Sequence, residues 1–186
     1  MAGTPKRILR KLTRRLRSRR SPSEASLGQT TLPDGTVLER CVWMNPAELE
    51  QATMPSGQPQ LFIHWRTDEA DCIHDLPELR EIHLFWAHHV DFVAICWDRV
   101  SESPAQPAAV AAAVDAWHRD YGLTWTSLIY DGEVKTPETF HHSPGEPLPQ
   151  VILIDSRGEI AFKRVGIFAP DDHIKLRQIL RHVSSL

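Results

Sequence analysis

Leu61-Phe62-Ile63-His64-Trp65-Arg66-Thr67, followed after Asp68-Glu69-Ala70-Asp71 by Cys72-Ile73-His74-Asp75-Leu76-Pro77-Glu78-Leu79, is the stretch whose reading decides the fold. The short apolar and aromatic run predicts a strand over Gln60–Trp65, and the pattern after it predicts a helix over Cys72–His88 that contains Pro77. Asp68 and Asp71 then stand where carboxylates favour a helix N-terminus, each contributing roughly 0.3–1 kcal/mol.

Outward from that stretch the same alternation continues. Asp91–Trp97 is a near-continuous apolar strand, and Pro107–Tyr121 is an Ala-rich helix with Val110, Val114, Trp117 and Tyr121 at helical spacing, ended by Gly122. Trp125–Tyr130 reads as a strand, Val151–Asp155 and Glu159–Val165 as a β-hairpin around Ser156-Arg157-Gly158, and Asp171–Val183 as the last helix. Upstream, a turn at Pro33-Asp34-Gly35 leads into a strand over Thr36–Met44, and Asn45-Pro46 caps a short helix through Ala52. Strands joined by helices must be parallel and strands joined by a tight turn antiparallel. The expected class is therefore α/β, a central mixed sheet flanked by helices on both faces.

The 186 residues suffice for one domain with a full core, plus a tail. With 41% hydrophobic and 24% charged residues, the composition excludes a disordered or a membrane-spanning chain. The longest apolar runs, such as Phe92–Trp97, fall far short of the roughly 20 residues a spanning helix needs.

Charge is segregated. Residues 1–20 hold nine Lys/Arg and no acid, which leaves 12 bases against all 24 acids in the remainder. Thr4-Pro5 can start a helix on which Ile8, Leu9, Leu12 and Leu16 share a face amid cationic side chains. That pattern predicts an arm for an anionic membrane surface or nucleic acid, a solubilising tail, or one folded back on the acidic body. Ser21-Pro22-Ser23-Glu24-Ala25-Ser26 reads as a linker, so residues 1–29 form the tail and residues 30–186 the domain. Arginine recurs through Arg20 and interrupts any secretory apolar stretch, so a cytoplasmic protein, peripheral at most to a membrane surface, is expected. Cys41, Cys72 and Cys96 are too few and odd in number for a disulfide framework and suit a reducing compartment.

Two pieces of the chain resemble the thioredoxin-like proteins of the TlpA/ResA kind, the redoxin domains of the thiol-disulfide oxidoreductase family. One is the opening stretch: in that family an apolar strand ends in Trp-x-Thr, then comes C-x-x-C at a helix start, then Leu-Pro-x-Leu. The other is Leu148-Pro149-Gln150-Val151-Ile152-Leu153-Ile154-Asp155-Ser156-Arg157-Gly158, similar to the family's Leu-Pro-Thr-x-Phe-Leu-Ile-Asp-x-x-Gly. The resemblance implies a thioredoxin-like fold over about residues 30–186. It puts Cys72 on the second cysteine of C-x-x-C, Glu69 where the first would stand, Pro149 on the cis-proline, and Gln150 where threonine is usual. A groove at Pro149 that takes a protein or peptide is implied, with Trp65, Thr67, His74 and Gln150 as further lining residues.

That departure bears on the chemistry. The first cysteine attacks a disulfide as a thiolate favoured by the helix N-terminus, and a carboxylate cannot take part in that exchange. Cys72 is therefore the one catalytic candidate, and the acids around it should raise its pKa. Two classes follow: a non-redox binding or scaffold module, or a monothiol redox protein using Cys72 in thiol-disulfide exchange or peroxidase-like chemistry. The peroxidatic pattern Pro-x-x-x-Thr/Ser-x-x-Cys is not matched, since Trp65 and Glu69 occupy its flanking positions. A metal site from Cys72, His74 and His141-His142 lacks a recognised spacing, and the other histidines, among them His64, His83, His118 and His173, are expected on helix surfaces or at strand ends. No phosphate loop or nucleotide fingerprint occurs, so neither a metal nor a cofactor is expected. Cys41, Cys96, Trp65, Trp97, Trp117 and Trp125 read as core packing.

Overall fold

The computed structural model describes residues 29–31, 37–39, 41–53, 57–100, 107–130 and 146–184. Their strands are β1 (Gln29–Thr31), β2 (Val37–Glu39), β3 (Cys41–Met44), β4 (Gln60–Trp65), β5 (Asp91–Cys96), β6 (Ser127–Tyr130), β7 (Gln150–Ile154) and β8 (Ile160–Val165). The helices, renumbered in chain order, are α1 (Pro46–Thr53), α2 (Ala70–His74), α3 (Leu76–Trp86), α4 (Pro107–Asp120) and α5 (Pro170–Val183). The basic tail and His141-His142 lie outside the described residues.

β3 to β8 form a six-stranded sheet in the order β3-β6-β5-β4-β7-β8. The helix-linked strands β4, β5 and β6 are parallel, and β7 and β8 run antiparallel to them, as the connections require. Two cores result. On one face α3 (Leu76, Leu79, Ile82), α4 (Val110, Val114, Trp117) and α5 (Leu176, Leu180) pack on Leu61, Ile63, Trp65, Cys96, Val151 and Leu153. On the other, Leu49 of α1 packs on Phe62, Ile95, Trp97, Tyr130, Ile152 and Ile154. Helices therefore flank both faces. β4 and β7 are buried along their full length, so their sequences are continuous apolar runs rather than alternating ones.

Three expected elements are corrected. The strand over Thr36–Met44 is two strands in different sheets, because β2 pairs with the unforeseen β1 as a small antiparallel ribbon (Gln29↔Glu39) while β3 joins the main sheet. The helix over Cys72–His88 is divided at Asp75 into α2 and α3. Pro77 is the cause: it has no N–H to give the preceding turn and disfavours continuous helix before it, so it serves in the first turn of α3 instead. β6 begins at Ser127 rather than Trp125.

His64 and His118, expected on helix surfaces or at strand ends, are both fully buried. His118 is satisfied within the core, its Nε2 lying 2.9 Å from Ser127 Oγ. His64 Nδ1 accepts the Trp97 indole N–H at 3.1 Å, and the two rings stack. Cys41, Cys96 and the tryptophans Trp65, Trp97, Trp117 and Trp125 are core residues, as read from the sequence.

Candidate functional site

β4 ends at Trp65 and delivers Arg66–Glu69 to the start of α2. Glu69 is the N-cap residue, extended at φ −98 and ψ 108, with an exposed side chain that makes no capping bond. Cys72 N–H donates to Glu69 O at 3.1 Å, which closes the first helical turn. That turn swings the two side chains apart: Glu69 faces solvent, and Cys72 enters the three-helix core at 2% exposure.

Burial deprives a Cys72 thiolate of water and pushes the thiol up to about 12; Glu69, Asp71 and Asp98 add to the rise, against a lowering by the Arg66 backbone N–H. Five units above neutrality leave about one thiolate in 10⁵ at pH 7. Cys96, beneath the same strand ends, is held well above its ordinary value by burial and by Asp98. All three cysteines are buried thiols outside any disulfide.

Asp71 stands in the first turn of α2 as expected, whereas Asp68 turns back to chelate the Arg66 guanidinium at 2.8 and 2.7 Å. Thr67 is fixed from below. The buried Asp98, just past β5, accepts the Thr67 N–H at 2.8 Å, and its other oxygen accepts the Thr67 hydroxyl.

A second buried carboxylate holds the α2–α3 break. Asp75 Oδ2 accepts the Phe168 N–H at 2.9 Å, and Oδ1 accepts from His74 Nδ1 at 3.0 Å, with His173 Nε2 3.8 Å away. Arg177 of α5 extends the joint by donating to Glu78 at 2.7 Å. The helix that carries Cys72 is thus tied to the loop before α5.

The antiparallel register pairs His64 with Gln150 and so brings Pro149 level with Trp65, beside the β4–α2 turn. The Leu148–Pro149 peptide bond is cis. Pro149 O accepts the Gly166 N–H at 2.8 Å, and Gly166 has φ +76, a left-handed conformation that suits glycine.

Of the groove residues expected from sequence, Thr67 is half-exposed and His74 exposed, but Trp65 and Gln150 are corrected: both are buried. Trp65 packs on Trp117 at 4.9 Å between ring centres, in the same core as Cys72. Gln150 alternates with Val151 and therefore faces the opposite core, with Ile152. Among the described residues no group of three His, Cys, Asp or Glu side chains could hold a metal ion. Sequence reasoning missed Asp75, Asp98 and Gly166. A buried acid looks like a surface acid in a sequence, and the one legible clue was the Asp75-Leu76-Pro77 break.

With this geometry in hand, comparison with solved structures is decisive for the fold. The chain is similar to a thiol-disulfide isomerase from Corynebacterium glutamicum, with TM-score 0.53 and 15% identity over 73% of this chain and 86% of that one. It is similar to a DsbF homologue from Corynebacterium diphtheriae, with TM-score 0.51 and 19% identity over 66% and 71% of the two chains. A secreted Mycobacterium tuberculosis disulfide oxidoreductase homologous to E. coli DsbE gives TM-score 0.50 and 15% identity over 84% and 96%. No family model matches the sequence, and no curated protein matches it. The chain has the thioredoxin-like fold, an α/β domain of the architecture found in thiol-disulfide oxidoreductases of the DsbE type. No helix among the described residues is long and apolar enough to cross a membrane.

Proposed function

We propose that residues 30–186 are a redoxin-type domain whose dithiol motif is incomplete at Glu69, and that it works as a non-redox binding or scaffold module for a protein or peptide beside Pro149. The observation that carries this reading is the state of Cys72: buried, facing away from the exposed N-cap position, and pushed up to about 12. A thiol in that state cannot attack a disulfide at a useful rate near neutral pH, because the thiolate is the nucleophile. What is left at the surface is shape and charge: the acids Glu69 and Asp71, the exposed His74, and the exposed Pro147 and half-buried Leu148 that lead into the buried Pro149. The basic tail would bring this cytoplasmic module to an anionic surface.

Catalysed reduction of a fluorogenic peptide disulfide by dithiothreitol tests the reading. No acceleration over the uncatalysed rate is expected. An acceleration that disappears in Cys72→Ser would overturn it in favour of monothiol exchange. In a peptide-array binding screen, Cys72→Ser should keep the wild-type peptide set and Glu69→Arg should lose it; the opposite pattern contradicts a binding role. For the tail, deletion of residues 1–20 should abolish co-sedimentation with vesicles containing anionic lipid, or with RNA.

A further inference from the structure

Gln150 is fully buried, and neither its Oε1 nor its Nε2 has a hydrogen-bond partner among the described residues. Exchanging the amide oxygen and nitrogen does not mend this, since both ends are orphaned. A buried amide left dry bears its whole desolvation penalty, and native proteins almost always satisfy such groups, with ordered water where protein atoms do not reach.

The surroundings are polar enough to hold water. Gln150 stands directly opposite His64 across the antiparallel β4–β7 pair, so the two Cβ atoms are about 5 Å apart on one face. His64 Nδ1 accepts the Trp97 indole N–H, which puts the ring proton of a neutral His64 on Nε2. Trp97 in turn packs on Tyr130 with ring centres 4.9 Å apart. Beside Gln150 on that face stands His64 of β4, and beyond His64, just past β5, the Trp97 indole bonded to it; both carry hydrogen-bonding atoms, on the face away from Cys72. A chain of this size is expected to hold roughly seven internal waters.

We infer that the Gln150 amide is the seat of an internal water site, built into the sheet one residue from Pro149 and opposite His64. The ligand is water, a small neutral molecule able to donate to Oε1 and accept from Nε2. The site rests on the register of β4 and β7 and on the orphaned amide, and holds whether or not the domain has redox activity.

The test is a crystal structure of the full chain at a resolution that shows ordered solvent. Solvent density within hydrogen-bonding distance of the Gln150 amide is expected, and in Gln150→Leu that density should vanish while the fold is kept. A dry amide in the wild type, or the same density persisting in Gln150→Leu, would overturn the inference. Should the variant fail to fold, water–protein NOEs from the wild-type Gln150 Hε2 protons are the second readout. Cross-peaks to a long-lived water support the seat, and their absence from an assigned, slowly exchanging amide contradicts it.

Discussion

The β4–β7 strand pair and the first turn of α2 meet at the same end of the sheet, yet they are built on opposite terms. The strand pair is buried throughout and carries Pro149, tied by Gly166 N–H. The first turn of α2 exposes Glu69, Ala70 and Asp71 and turns its one thiol inward. The pair is held by apolar packing, which is indifferent to redox chemistry. Competence in thiol exchange depends on one exposed side chain at the helix start, and here that side chain is a carboxylate. A fold and an activity can therefore part company through a single residue.

The contrast can be broken most directly at Glu69. In Glu69→Cys a thiol would occupy the exposed N-cap position, and at pH 8 it should be alkylated on the order of 10³ times faster than Cys72, as expected for an ordinary thiol against one at about 12. Mass-spectrometric counting of labelled sites over time decides it. Similar rates at the two positions would erase the distinction between the turn and the core.

The joint beneath the turn supplies the next largest effect. Asp75→Ala leaves the Phe168 N–H without its acceptor and should cost about 2–3 kcal/mol in urea unfolding, and Asp75→Asn, which keeps an acceptor, less. Equal losses in the two variants would mean that the charge, not the bond to Phe168, holds α3 to the α5 loop.

A smaller effect lies at the far end of α3. His83 Nδ1 is 2.7 Å from Thr124 Oγ1, with the ring edge-on to Phe92 and Trp125, and burial lowers it from the ordinary value of 6.5. The folded state then binds fewer protons than the unfolded one, so this contribution is present above about pH 6.5 and is lost as pH falls through the lowered folded value. Thermal unfolding from pH 7.5 to 5 should show a steeper decline for the wild type than for His83→Gln. Identical slopes would remove His83 from the account.

Much of the frame was legible because its signals are local. Apolar runs placed β4, β5, β7 and β8 to within a residue or two, and the Ser156-Arg157-Gly158 turn required the antiparallel hairpin. What escaped depends on contacts distant in sequence. Pro77 marked the break, but not that Asp75 at the break is buried and accepts the N–H of Phe168, 93 residues on. His64 and His118 were read as lying on helix surfaces or at strand ends because Trp97 and Ser127, which bond them inside, belong to other elements. Trp65 and Gln150 were placed beside the groove by their neighbours in sequence, whereas strand alternation turns them to opposite sides of the sheet. The position of Glu69 and Cys72 one turn apart was readable; how deeply that turn buries the thiol was not.

The central claim is that Cys72 is an inert core thiol, and its alkylation rate as a function of pH, in the folded Cys41→Ser/Cys96→Ser protein, tests it most directly. The predicted profile is slow and flat through neutral pH, and rises only well above pH 8.5, towards the value of about 12 that burial imposes. A rate already half-maximal at or below about pH 8.5, the value of an unperturbed thiol, would contradict it and identify Cys72 as an activated nucleophile.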